Sequence, residues 1–250
     1  FPRVGFNSSD GFYISQYLER PIGDRLSAFA DVAYFSKRGF VPNYGFISRQ
    51  NNYTLKLYQS KEENGDDEWI KREPEFLLEM NPKRFGKVVG TFTASTGKWI
   101  EGDISGSVEA YNLYFQRDPI KLGNKVTLDV GAGIARKEYG YNHSTNDIWS
   151  VNTTVTVRPN DRLETWVGYY HNDQTSTSVY QYDKIDTARQ FSTGFMYKVD
   201  KMNGVGVRMD YDVVLDKVKD VDYTWKRNLH CWEANITYRA KRDQWKMQIT

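Results

Sequence analysis

With 34 basic against 32 acidic side chains in 250 residues, the chain carries no basic field of the kind that nucleic acid requires. A mean hydropathy of −0.69 and apolar runs of only a few residues exclude helical membrane spans, and 18 Tyr, 13 Phe and 7 Trp exclude a disordered chain. Strands that are apolar on one face and hydrophilic on the other give this mixture.

In chain order, residues 1–6 read as a short strand that ends at the turn Asn7-Ser8-Ser9-Asp10-Gly11. Residues 12–20 follow and close at Pro21-Ile22-Gly23-Asp24. Leu26, Ala28, Ala30, Val32 and Tyr34 then share one face, opposite Ser27, Asp31 and two Phe. Arg38-Gly39 breaks the pattern, and residues 44–49 lead through Asn51-Asn52 to Tyr53, Leu55 and Leu57. Residues 61–68 (KEENGDDE) read as a solvated loop, and strands are expected at about 69–79, 86–95 and 98–117.

The middle of the chain alternates most cleanly. Val126, Leu128, Val130, Ala132 and Ile134 oppose Lys125, Thr127, Asp129, Gly131 and Gly133. Trp149, Val151, Thr153, Val155 and Val157 oppose Ser150, Asn152, Thr154, Thr156 and Arg158, before the turn Pro159-Asn160-Asp161. Val205, Val207, Met209 and Tyr211 oppose Gly206, Arg208, Asp210 and Asp212. Longer polar loops are expected at about 139–147 and 172–186. At the end of the chain, Trp232, Ala234, Ile236 and Tyr238 oppose Glu233, Asn235, Thr237 and Arg239. After a charged turn, Trp245, Met247 and Ile249 oppose Gln244, Lys246 and Gln248.

These patterns predict an all-β fold in one domain spanning residues 1–250, an antiparallel transmembrane β-barrel. A periplasmic β-sandwich is the soluble alternative. Two features favour the barrel: segments longer than soluble strands, and aromatics near the ends of apolar faces (Tyr53, Trp149, Tyr169, Trp232, Tyr238, Trp245), where lipid headgroups would lie. Counting residues 1–6 gives about fifteen segments and omitting them about fourteen; single-chain barrels prefer an even number, so fourteen strands are expected, with sixteen as the alternative.

No catalytic or metal-binding pattern emerges, and no enzyme and no cofactor are expected. His143, His171 and His230 lack ligand spacing, Ser144 and Asp147 beside His143 do not make a triad, and Gly97-Lys98-Trp99 lacks a phosphate-loop frame. Cys231 is the one cysteine, so no disulfide can form within the chain; it is either an unpaired thiol or the partner of a cysteine elsewhere. No charged-then-apolar leader opens the chain, which is expected to be a processed protein or an excised domain.

The series Tyr211-Asp212, Asn228-Leu229-His230-Cys231-Trp232-Glu233 and Tyr238-Arg239 resembles the C-terminal barrel of the LPS-assembly protein (LptD, or OstA) family. The opening is similar as well, in Phe1-Pro2, Ser9-Asp10-Gly11-Phe12 and Tyr34-Phe35-Ser36-Lys37-Arg38-Gly39. The resemblance covers both ends, while the middle agrees only in pattern. It implies an outer-membrane protein that takes lipopolysaccharide from a periplasmic bridge protein or an N-terminal jelly-roll domain. The cargo would reach the outer leaflet through a lateral seam between the first and last strands. Pro2, Phe12, Ile14, Gln16 and Leu18 would flank that seam on one side and Trp245, Met247 and Ile249 on the other. Pro2 lacks a ladder donor, but Gln16 stands about where the family carries a second proline. Cys231 would be the inter-domain disulfide tether.

Lumen-facing Lys125, Arg158, Arg208 and Arg239 would meet anionic sugar phosphates, unless they are simply balanced by Asp129, Asp210, Asp212 and Glu233. The family barrel is about twice this long and encloses a plug lipoprotein, for which a smaller lumen leaves less room. The chain also ends at Thr250 where such barrels commonly end on an aromatic, which implies trimming. The rival functions are a passive diffusion porin and a structural anchor with a filled lumen.

Overall fold

Period-two alternation gives each segment a wet face and a greasy face, and closing the sheet on itself buries every edge donor and acceptor in a ladder. The structure, a computed structural model, describes residues 2–64, 67–229 and 231–249. In chain order the strands are β1 (Arg3–Asn7), β2 (Gly11–Pro21), β3 (Leu26–Phe35), β4 (Gly39–Arg49), β5 (Tyr53–Glu63), β6 (Trp69–Met80), β7 (Lys83–Phe85), β8 (Val88–Glu101) and β9 (Ile104–Arg117). They continue as β10 (Ile120–Leu122), β11 (Val126–Tyr139), β12 (Ser144–Asn160), β13 (Leu163–Gln174), β14 (Arg189–Lys198), β15 (Asn203–Asp212), β16 (Lys217–Asn228), β17 (Glu233–Arg239) and β18 (Gln244–Ile249).

Every pairing is antiparallel between neighbours, and β1 pairs with both β2 and β18, so the sheet closes. β7 continues the line of β6 along β8, and β10 continues β9 along β11, which makes a barrel of sixteen strands rather than the fourteen expected from the sequence. The breaks fall at Pro82 and Pro119, residues that cannot donate to a ladder. The opening segment is a full member of the wall, and residues 86–117 divide at Gly102-Asp103, where Gly102 takes a left-handed φ of 56°. The polar loop expected at about 139–147 shrinks to a tight turn at 140–143, because β11 and β12 remain paired up to Tyr139 and Ser144.

Directly opposite residues in an antiparallel pair share a face. The row Ile249, Val4, Ile14, Tyr34 and Phe40 therefore runs round the outside of the closure, and Leu128, Val155, Val167, Thr193 and Met209 round the far wall. Exposed apolar side chains cover this outer face, including Phe12 at 65%, Trp149 at 67% and Val167 at 53%. So much contiguous greasy surface requires acyl chains around it. Among the described residues no helix is long and apolar enough to cross a membrane; the crossings are made by strands.

Outward aromatics gather toward both ends, with Tyr53, Phe85, Tyr197 and Trp232 at the end where β1 begins and β18 finishes (the turn end). Phe12, Tyr34, Trp149, Tyr238 and Trp245 lie toward the opposite, loop end. β12, at 17 residues, exceeds the roughly 9–11 needed to span a bilayer. Beyond Trp149 the outer face turns polar, where Arg136 pairs with Glu138 at 2.9 Å and Asp147 at 3.6 Å, as expected above the headgroups.

This face assignment predicts a sharp asymmetry between adjacent residues. Val155→Arg, on the outer face, should cost about 2–4 kcal/mol, and Thr154→Arg, on the inner face, no more than about 0.5 kcal/mol. Urea titration of the two variants folded into vesicles measures the difference.

Candidate functional site in the barrel lumen

The hydrophobic core of this molecule lies inside the barrel at the loop end, and two infolded segments build it. The first is the tip of the β5–β6 hairpin. β4 pairs with β5 only up to Tyr44–Gln59, after which β5 peels away from the wall. Pro42, which has no N–H to offer, sits in the stretch of β4 left without that partner. Register shifts between Tyr58 and Ser60, and between Arg72 and Glu75, bend the hairpin as β-bulges do.

Past those shifts, Glu63, Asn64 and Asp67, from the stretch that reads from sequence as a solvated loop, reach inward to the lumen. Asp67 accepts hydrogen bonds from Ser9 Oγ at 3.1 Å, in the β1–β2 turn, and from Gln244 Nε2 at 2.7 Å, on β18. Glu63 lies 4.0 Å from Lys246. Burial raises the pKa of Asp67, but its hydrogen bonds with Glu63, Ser9 and Gln244 outweigh that effect and hold it below the usual carboxylate range. Trp69 packs edge-on against Phe35 at 5.8 Å, with the Arg38 guanidinium 4.9 Å above its ring.

The second segment is the loop between β13 and β14, with a short 3-10 turn at Gln181–Asp183. Tyr180 is fully buried against Trp99 and Tyr139 in a cluster completed by Ile70 and Val108. Glu101 accepts from the backbone N–H groups of Gln181 and Tyr182 at 2.6 and 2.8 Å. Asp183 accepts from Lys137 Nζ at 2.7 Å and Tyr139 Oη at 2.9 Å. Burial pushes the Tyr180 and Tyr182 phenols up.

The two segments meet at Arg72. Its guanidinium pairs with Glu62 at 2.8 Å and Glu75 at 3.1 Å, and lies 4.9 Å over Trp99 and 5.6 Å over Tyr182. Glu75 in turn accepts from Trp99 Nε1 at 2.7 Å and Tyr58 Oη at 3.1 Å. Asn64 Nδ2 donates to the Tyr182 carbonyl at 2.7 Å, which joins the tip to the loop.

Between the hairpin and the closing strands a cavity of about 440 Å³ remains, lined among others by Tyr13, Phe35, Glu63, Asp222, Arg239 and Lys246. Deeper in, Asp31, Arg49, Lys56 and Glu62 line a second one with Tyr17 and Phe29. The lumen is thus narrowed at the loop end and lined by both signs of charge.

Of the lumen cations expected from sequence, Arg158, Arg208 and Arg239 are on the inner face, and each is paired: Arg158 with Glu164 at 2.6 Å, Arg208 with Asp210 at 3.0 Å, Arg239 with Asp220 at 3.2 Å and Asp222 at 3.6 Å. Lys125 is exposed in the turn before β11. Phe12, Ile14, Gln16 and Leu18 face outward on β2, and Trp245, Met247 and Ile249 outward on β18, with β1 hydrogen-bonded between them. Phe6 and Phe12 pack at 5.0 Å across that junction. Pro2 is exposed just before β1, and Cys231 is a free, exposed thiol in the turn between β16 and β17. His171 stacks on Tyr169 at 6.5 Å on the outer face of β13, Asp147 is engaged by Arg136 rather than His143, and His230 lies outside the described residues. The hairpin and Arg72 were not anticipated as site residues. The sequence signal was the loss of alternation at Arg72-Glu73-Pro74-Glu75, next to Trp69-Ile70.

No protein-family model matches the chain, and no curated protein matches it in sequence. Solved structures do match in fold. CdiB from Acinetobacter baumannii aligns with a TM-score of 0.55 at 11% identity, over 99% of this chain but 58% of that one. A bacterial polysaccharide outer membrane secretin aligns at 0.53 and 12% identity, over 99% of this chain and 96% of that one. A mutant of Rh. blastica porin aligns at 0.52 and 9% identity, with 99% and 96% covered. The fold is that of a multi-pass outer-membrane β-barrel.

Proposed function

We propose that this chain is an outer-membrane channel through which small hydrophilic solutes diffuse. The observation that carries the reading is the inward β5–β6 tip, tied to the far wall through Asp67 and to the second loop through Asn64, which narrows an otherwise polar lumen. A constriction lined by Glu63 and Asp222 on one hand and Arg239 and Lys246 on the other favours neither ion sign strongly. The likeness to a porin over nearly its whole length supports the fold that this reading needs. In planar bilayers the purified protein should give stepwise ohmic currents with weak ion selectivity; silent insertion would count against the reading.

A second reading, lipopolysaccharide insertion through the seam, draws support from the short closing strands. β1 has five residues, β18 six and β17 seven, under the outward stripe of Phe12, Ile14, Leu18, Trp245, Met247 and Ile249. It would give Cys231 a tethering role and engage a periplasmic bridge protein or jelly-roll domain. A plug lipoprotein would have to share the lumen with the hairpin and the 175–188 loop.

The two readings separate in one experiment. Phe6 and Met247 are directly opposed across the seam, so a Phe6→Cys/Met247→Cys disulfide in a Cys231→Ser background is geometrically reasonable. The channel reading expects unchanged conductance after oxidation. Lipopolysaccharide insertion expects loss of surface delivery.

A further inference from the structure

We propose that the outer face of the barrel, at its turn end, binds one anionic glycerophospholipid. The wall is interrupted between β6 and β7 at Asn81-Pro82, and beside the break Gly90 contributes no side chain to the outer face. The result is a groove of about 660 Å³ between Met80 and Phe85 on one bank and Phe92, Leu113 and Phe115 on the other. Phe85, Met80 and Phe115 are 54%, 40% and 40% exposed, so the groove opens sideways into the acyl region and not into the lumen.

Its terminal edge is cationic. Lys83 is level with Gly90, Arg117 opposes Val88 one step nearer the end, and Lys87 sits in the intervening turn. All three are exposed, and none has an ion-pair partner among the described residues; Asp118 close by is taken by Arg84 at 2.6 Å. The apolar trough runs toward mid-wall and the unpaired cations sit at headgroup depth. That arrangement fits a lipid with acyl chains and a net negative phosphate headgroup, since a basic group near the surface attracts such lipids.

The protein in neutral detergent, titrated with phosphatidylglycerol, phosphatidylethanolamine or lipid A and read by native mass spectrometry, tests this. Wild type should retain a single phosphatidylglycerol in preference to phosphatidylethanolamine. Lys83→Gln, Lys87→Gln and Arg117→Gln should each lower phosphatidylglycerol affinity roughly fivefold while leaving phosphatidylethanolamine unchanged. Gly90→Leu should lower retention of both lipids, because even a Cβ there lies 3.1 Å from the Phe115 ring and 3.3 Å from that of Phe85. Equal binding of the two lipids would overturn the proposal, as would full retention of phosphatidylglycerol by the triple Gln variant or a preference for lipid A over phosphatidylglycerol. The Gln variants alter only exposed side chains, so the test stands even if Gly90→Leu folds poorly.

Discussion

Arg72→Ala should lower the stability of the folded barrel by about 3–5 kcal/mol, the usual cost of stripping one partner from a buried ion pair. The Arg72 side chain is only 13% exposed and Glu75 only 4%, so Glu75 gains too little water to replace the guanidinium, whereas Glu62, at 35%, is already partly solvated. Packing over Trp99 and Tyr182 is lost as well. Arg72→Lys should recover only part of the loss, because an ammonium cannot face Glu62 and Glu75 with a planar fork and cover Trp99 at the same time. Arg72→Met combined with Glu75→Gln should be far milder than Arg72→Ala, since no buried charge is left unpaired, Glu62 is partly solvated, and the Gln carbonyl can still accept from Trp99 Nε1. Urea midpoints of the variants in vesicles check the order; an Arg72→Ala loss under about 1 kcal/mol would mean the network is solvated.

The second large effect is on conduction. Replacing residues 61–68 with a two-residue turn removes Glu63, Asn64 and Asp67, with their contacts to Ser9, Gln244 and Tyr182, and also Glu62, which leaves Arg72 its pair with Glu75. The wall below Gln59 keeps its ladders to β4 and β8, so the barrel should still close. Single-channel conductance should rise severalfold, and larger neutral sugars should pass in a liposome-swelling assay. An unchanged conductance would place the narrowest point elsewhere, for example at the Tyr180 cluster.

Much of the wall could be read directly. The alternation through 126–134, 149–157 and 205–212 assigns inner and outer faces that the ladder confirms residue by residue, because a one-residue slip would turn every greasy side chain into the lumen. Strand number was harder. Residues 1–6 give too short a pattern to separate a strand from a tail, and the Asp118-Pro119 and Asn81-Pro82 breaks look like turns although the ladder resumes beyond each.

The constriction was the least legible part. KEENGDDE has the composition of a solvated loop, and nothing local distinguishes a loop that leaves the barrel from one that enters it. The deciding contacts are all distant in sequence: Asp67 with Gln244, Asn64 with Tyr182, Arg72 with Trp99. The inner arginines illustrate the same limit. Their position was readable, and so was Asp210 as a partner on the same strand as Arg208, but the pairing of Arg158 with Glu164 and of Arg239 with Asp220 needed the register.

In the proposed channel, Glu63, Asn64 and Asp67 stand in the path of the solute. Glu63→Cys in a Cys231→Ser background, recorded in a planar bilayer during addition of a charged, water-soluble thiol reagent, tests it most directly. The current in each open channel should fall stepwise as residue 63 is modified. Complete modification confirmed by mass, with the current undisturbed, would contradict it.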